Sequence, residues 1–356
     1  MVFVFYGIND NPAHPWTRGW EVLRCHITGD KVPGRFTDTI FWGNLFPRSL
    51  NGLFVGGILG LAGAVMQIVM RNPLADPYTT GISSGAGFGV TLWLTAGVAI
   101  IPGLAGDWAL ISNAFVLSLV PAGAILLVIA FRKVSPGEMI LIGIGIMYLF
   151  SSANVVFMLW ADPSDYASVY KWSLGHLNSV GWGNMPYLAA AAVAGLVLSA
   201  VLSKRLSILG FGDGPAKSLG EDPYRIRVVS LMCFSLVVAV AVCFTGTIGF
   251  VGIVAPHIVR LTLGSSVRHL LPGSFAVGAV MLLMADAVAK IVVLPVGVIT
   301  AIVGGPLFLF ILIKQRRQEH FQIRRRSDLP CIPSRPRATG SKPFLKLHQR
   351  RSGDNS

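Results

Sequence analysis

Stretches of about twenty apolar residues recur along most of this chain, and no other feature limits its folding as strongly. They lie at Leu53–Met70, Ile82–Ile101, Ala109–Phe131, Met139–Trp160, Tyr187–Ser203, Val228–Thr247, Ile248–Leu263, Ser274–Val293 and Val296–Ile313. A bilayer core about 30 Å thick is crossed by an α-helix of about 20 such residues. The sequence therefore predicts an all-α polytopic membrane protein with about nine spans. Val228–Thr247 and Ile248–Leu263 run together, and the glycines from Gly246 to Gly249 mark the split. Composition closes off the soluble alternative: 13% of the 356 residues are charged, about half of what a water-covered globule carries.

The net charge of +13 would point to nucleic acid on a soluble surface, but it is concentrated. From Lys314 to Ser356 twelve Lys/Arg face three Asp/Glu, so this segment holds nine of the thirteen net charges. It has no apolar period and reads as a disordered basic tail beside a membrane, not a nucleic-acid module. The shorter polar connections alternate. Arg71, Arg132 with Lys133, Lys204 with Arg205, Arg225 with Arg227, and Arg260 with Arg268 occupy every second one. Asp107 with Trp108, and Asp162, Asp165, Lys171, Trp172 and Trp182, occupy the others. Basic loops stay on the cytoplasmic side, which places the C-terminus in the cytoplasm. The four cysteines form no CxxC pair and indicate neither zinc nor a disulfide framework.

Glycines repeat at helix-contact spacing: Gly56 with Gly60, and Gly81, Gly85 and Gly89. Small residues let helix backbones approach in lipid, so close packing is the expected role, with lining of a pathway as the alternative. Asp286 and Lys290 are four apart and share a helix face. An intramembrane ion pair removes the cost of two isolated charges, and a proton relay is the other reading. His257 has no second His or Cys at ligand spacing; it reads as a polar residue near a helix end, not as a metal ligand.

Three ordered motifs carry more specific information. The first is Arg71-Asn72-Pro73-Leu74-Ala75-Asp76-Pro77, then Gly81 and Gly85. The second runs from Gly246 through Phe250-Val251-Gly252 to Pro256-His257 and Arg260. The third is Ala285-Asp286 with Lys290, then Leu294-Pro295-Val296-Gly297 and Gly305-Pro306. Together with Phe46-Pro47-Arg48 and the Trp172–Trp182 segment, they resemble the FecCD family, the permeases of binding-protein-dependent ABC importers for iron siderophores, haem and vitamin B12. The resemblance covers roughly residues 45–315. Pro73 and Pro77 end helical hydrogen bonding, Asn72 can bond freed backbone groups, and Arg71 suits a headgroup anchor; direct substrate contact is the alternative.

That resemblance implies a BtuC-like bundle of ten helices, the first of which is not visible before Phe46. The expected organisation is a polar segment over 1–45, a permease domain over 46–315 and a basic tail over 316–356. It implies import of an iron(III)-siderophore, haem, corrinoid or related metal chelate across the cytoplasmic membrane of a prokaryote. The expected partners are an ABC ATPase subunit, an extracytoplasmic binding protein and a second permease copy. No G-x-x-x-x-G-K-[ST] loop occurs, so ATP and magnesium belong to the partner chain; this chain is expected to bind no cofactor or metal and to be no enzyme. Gly212, Gly214, Ala216, Leu219 and Gly220 resemble the family's coupling loop, two short helices that fit a groove of the ATPase. The loop with Asp162, Asp165, Trp172 and Trp182 is the implied docking face for the binding protein.

Two other classes compete. An ion-gradient-driven secondary transporter would carry acids at the bilayer midplane and an inverted repeat of broken helices; Asp286 is the only deep acid. An intramembrane enzyme would need a catalytic constellation, and Ser83, Ser84, His257 and Asp286 form no recognisable set.

Overall fold

A computed structural model describes residues 41–132, 134–178 and 181–310, together with Arg24, Cys25 and Thr28. The expected polar N-terminal segment and basic tail fall almost entirely outside the described residues. After a π-helical turn at Phe41–Leu45 come α1 (Phe46–Val69), α2 (Ile82–Ala96), α3 (Gly106–Phe131), α4 (Pro136–Met158) and α5 (Pro163–Ser173). Then follow α6 (Met185–Gly210), α7 (Asp213–Ser218), α8 (Pro223–Thr245), α9 (Val251–Thr262), α10 (Val267–Val292) and α11 (Val296–Phe310). Proline stands in the first turn of α1, α4, α5, α6 and α8, where its missing N–H costs nothing and its fixed φ favours the helix.

Among the described residues, six helices are long and apolar enough to cross a membrane: α1 with its preceding turn, α3, α4, α6, α8 and α10. The nine expected spans thus resolve into these six plus three shorter helices, α2, α9 and α11. The apolar run from Val228 to Leu263 breaks because Gly246 (φ 71°) and Phe250 (φ 69°) leave right-handed space. Twelve residues of α9 rise only about 18 Å. Non-helical backbone at such depth is tolerated where protein satisfies it. Here Thr245 O accepts from His176 N at 2.8 Å, and Ile248 N donates to the Tyr78 hydroxyl at 3.1 Å.

Helix α1 is the axis of the bundle. In its most apolar window 83% of the residues are buried, and it packs against α10, α6, α9 and α8. The glycine spacing explains how. A Cβ at Gly56 would overlap the Gly278 carbonyl and sit 2.7 Å from Leu282 Cβ, and one at Gly60 would overlap Ser274 O. Across α2 and α3, Gly85 faces the Leu117 carbonyl and Gly89 faces that of Asn113. In lipid such dispersion contacts replace the hydrophobic drive. Helix α4 is the opposite case. Only 6% of its apolar window is buried, and Leu141, Tyr148 and Leu149 are each about two-thirds exposed.

Candidate functional site

The helix directions bring polar side chains together at two opposite ends of the bundle. At one end the start of α1 meets the end of α10. Arg48 donates to Asp286 Oδ1 through Nε (2.8 Å) and Nη2 (2.6 Å), and Lys290 Nζ lies 2.9 Å from Asp286 Oδ2. Arg48 also donates to the Asn178 side chain. The Asp286–Lys290 pair sits where the spacing put it. Arg48 was read only as part of a helix-entry motif, and long-range pairing leaves no local signal. Arg48 and Lys290 line a cavity of about 550 Å³ with Lys171, His176 and Asn178. Burial pushes the His176 imidazole below its ordinary value, so it is neutral at pH 7. Arg48 and Lys290 share the Asp286 carboxylate while Lys171 adds a further cation on the cavity wall, and the excess positive charge suits a carboxylate or another anion.

The Trp172–Trp182 loop lies at this end. Asp162 stands at the N-cap position of α5 without a side-chain cap bond and is exposed, Asp165 is half-buried, and Tyr166 and Tyr170 are about half exposed. Trp172 does not join this face: it is 5% exposed and packs in the core, with Gly246 close against its carbonyl. Trp182 stacks on Phe46 at 5.8 Å and donates to Trp42 O at 2.6 Å.

In the second motif, Pro256 lies inside α9 and cannot donate to the carbonyl four residues back, which belongs to Gly252. Gln67 Nε2 approaches that carbonyl at 3.5 Å and Ile253 O at 3.4 Å, while Arg260 donates to Gln67 Oε1. The Pro-His-x-x-Arg pattern is therefore a repair of broken helix backbone. His257 is not at a helix end. It is 1% exposed in the middle of α9, with Nδ1 2.8 Å from Ile253 O and its ring edge-on to Phe308. Among the described residues no three His, Cys, Asp or Glu side chains converge as metal ligands.

At the opposite end α1 stops at Val69 and the first motif begins. Asn72 Oδ1 accepts from Leu74 N at 2.9 Å, Pro77 opens a 3-10 turn to Thr80, and Gly81 (φ 88°) starts α2. Arg71 is half exposed, with its Nη1 3.8 Å from Asp213 Oδ1. The expected coupling loop forms one short helix, α7, not two. Gly212 (φ 116°) and Gly220 (φ 80°) bound it, since side chains are strained at such angles. Ala216 is fully buried beneath it, Gly214 is exposed, and Leu219 and Phe211 project outward at 65% and 77% exposure.

Arg227 anchors α7 from below. Its Nη1 and Nη2 donate to the two Asp213 oxygens at 3.1 and 2.6 Å, and its Nε donates to Val69 O at 3.0 Å. The hydrogen bond from Arg227 is the main cause that holds the Asp213 carboxyl below its ordinary value of 3.8. A depressed value stabilises the fold above the unfolded value, and the contribution is lost as pH falls through the folded one. Hydrogen-exchange protection factors of α7 amides should therefore stay level down to about pH 4 and fall only below it.

With the geometry in place, comparison with known proteins is decisive. The sequence model of the FecCD transport family matches residues 8–314. The chain belongs to the FecCD transport family. The match begins upstream of Phe46, where the motif resemblance was first legible. As a FecCD protein it is a multi-pass membrane permease of the ABC-importer type and carries out no catalytic chemistry itself. It is 34% identical over 280 residues to the vitamin B12 import system permease protein BtuC of Citrobacter koseri, covering 78% of this chain and 83% of that one. A Methanocaldococcus jannaschii protein assigned as an ABC transporter permease is 35% identical over 289 residues, with the same coverages. A solved chain in an inward-facing conformation, described as a metal-chelate type ABC transporter, superposes with a TM-score of 0.71 at 26% identity. It covers 83% of this FecCD chain and 97% of the solved one.

Proposed function

We propose that this chain is the translocating subunit of an ATP-driven importer for a metal chelate, an iron(III)-siderophore or a related haem or corrinoid, in the cytoplasmic membrane of a prokaryote. The family match over residues 8–314 carries this reading. The basic connections Arg71, Arg132, Lys204 with Arg205, and Arg225 with Arg227 support placing the α7 end in the cytoplasm, and the C-terminus with it. ATP and Mg²⁺ are then used by a separate ATPase, with no cofactor on this chain. The outward apolar pair Phe211 and Leu219, flanking a short helix pinned by Ala216, suits a groove of that ATPase. At the other end, the cationic cavity and the exposed Asp162, Tyr166 and Tyr170 suit an extracytoplasmic binding protein. The largely exposed α4 supports a second permease copy beside it, with the pathway between the two.

The test is uptake into proteoliposomes holding this chain, its ATPase and its binding protein, with an iron(III)-siderophore, haem and cobalamin offered in parallel. Uptake should require ATP inside and should be abolished by deleting residues 212–220. Uptake that persisted without the ATPase, driven by an ion gradient, would sink the proposal and favour a secondary transporter.

A further inference from the structure

Helix α7 is flanked by two outward apolar side chains, Phe211 and Leu219, and its inward anchor is ionic. Asp213, its first residue, turns back toward the bundle and takes both terminal nitrogens of Arg227 at 3.1 and 2.6 Å. The same guanidinium spends its third donor on Val69 O at 3.0 Å. Val69 is the last residue of α1, and a terminal carbonyl has no donor within its own helix. Arg227 is 6% exposed at its side chain. A planar fork held on three sides leaves little freedom. One side chain therefore joins three elements: α7 through Asp213, α8 on which it stands, and α1 through its final carbonyl.

The place of α1 gives this joint its meaning. Its 24 residues rise about 36 Å, it is the axis on which the other helices pack, and its far end carries Arg48 in the Asp286–Lys290 cluster. A displacement of α7 meets no flexible linker on its way to α1. Arg71 adds a second, looser contact from the segment after α1: its Nη1 is 3.8 Å from Asp213, and its guanidinium lies over Gly212.

We propose that Asp213 and Arg227 are positioning residues that tie the coupling helix to the end of α1, so that closure of the ATPase pair is delivered to the central helix of the bundle. This rests on the reading of α7 as the ATPase contact. Neither residue touches the cargo. Their task is to convert a push on Phe211 and Leu219 into movement of α1 and not into local bending of α7.

The experiment uses the complete transporter, with ATPase and binding protein, in proteoliposomes. It reads chelate imported per ATP hydrolysed, with co-purification of the ATPase as a second measurement. Asp213→Asn keeps the shape but removes the charge-assisted pair, and a loss of that class lowers the import-to-hydrolysis ratio about tenfold. The ATPase should still co-purify, because Asp213 faces away from the outward pair. Asp213→Glu, which keeps a carboxylate within reach of the fork, should recover most of the ratio; a purely structural role would move stability and leave the ratio alone. A wild-type ratio in Asp213→Asn overturns the proposal, and so does loss of the ATPase from the purified complex, which would make Asp213 a docking residue. Failure of the underlying functional reading looks different: the wild-type complex itself would show no ATP-dependent import.

Discussion

Replacing Gly63 with alanine should disrupt the bundle more than any other single methyl group. A Cβ there would overlap the Gly252 carbonyl oxygen and lie 2.5 Å from its carbon and 2.6 Å from its Cα. Every one of those atoms is backbone, so no rotamer change can make room. Helices α1 and α9 must separate, at the point where Gln67, itself held by Arg260, already approaches the Gly252 carbonyl freed by Pro256. Overpacking ordinarily costs about 1–3 kcal/mol, and with no flexible neighbour the loss belongs at or above the top of that range. Gly123→Ala on α3 is the matched control, since nothing lies within 4 Å of its added Cβ. There the helix should gain roughly 0.5–1 kcal/mol from the lost backbone freedom of glycine. Thermal unfolding of the detergent-solubilised chain should separate the two variants clearly. Equal melting temperatures would show that α1 and α9 are not in backbone contact.

The contrast between these glycines also shows what the sequence could disclose. Periodicity and spacing made the helices and the Gly56–Gly60 and Gly81–Gly85–Gly89 stripes legible, because both are local properties of one helix. Gly63, three residues past Gly60, gave no hint of its partner: that lies on α9, and only the break between Gly246 and Phe250 brings its carbonyl close. Span length was misjudged for a related reason. Hydropathy averages over residues and cannot see φ, so the left-handed Phe250 shortened α9 without altering the apolar run. The charged sites divide along the same line. Asp286 and Lys290 stand one helical turn apart, so their pairing followed from spacing. Arg48 reaches Asp286 across 238 residues, and Arg227 reaches Val69 across 158. Nothing near Arg227 distinguishes it from a residue that marks a cytoplasmic loop, and the Phe46-Pro47-Arg48 motif names no partner for Arg48. Trp172 and Trp182 looked alike as members of the implied docking face, yet tertiary packing buries the first and leaves the second half open.

Asp286 should be the least replaceable side chain in the bundle, and removing it should cost far more than removing either cation it serves. Its carboxylate is 3% exposed and holds Arg48 and Lys290, themselves 15% and 10% exposed. Asp286→Ala strands two like charges in a site with little water, and breaking a buried pair from one side costs about 3–5 kcal/mol. Lys290→Met leaves the Arg48–Asp286 pair neutral and intact, so its cost should be about 1 kcal/mol. The triple variant Arg48→Met, Asp286→Ala, Lys290→Met removes every charge together. Apolar replacement of a whole buried cluster is often neutral or stabilising, so the triple should melt within a few degrees of wild type, well above Asp286→Ala alone. That non-additivity is the signature of groups acting as a unit. It also separates stability from use. If apolar side chains fill the site without loss of fold, the two cations around one carboxylate are not there to hold the helices together. Their excess charge, open to the 550 Å³ cavity, is what import through this end would require. The triple variant should therefore fold and fail to import, whereas import at the wild-type rate would make the cluster scaffold alone.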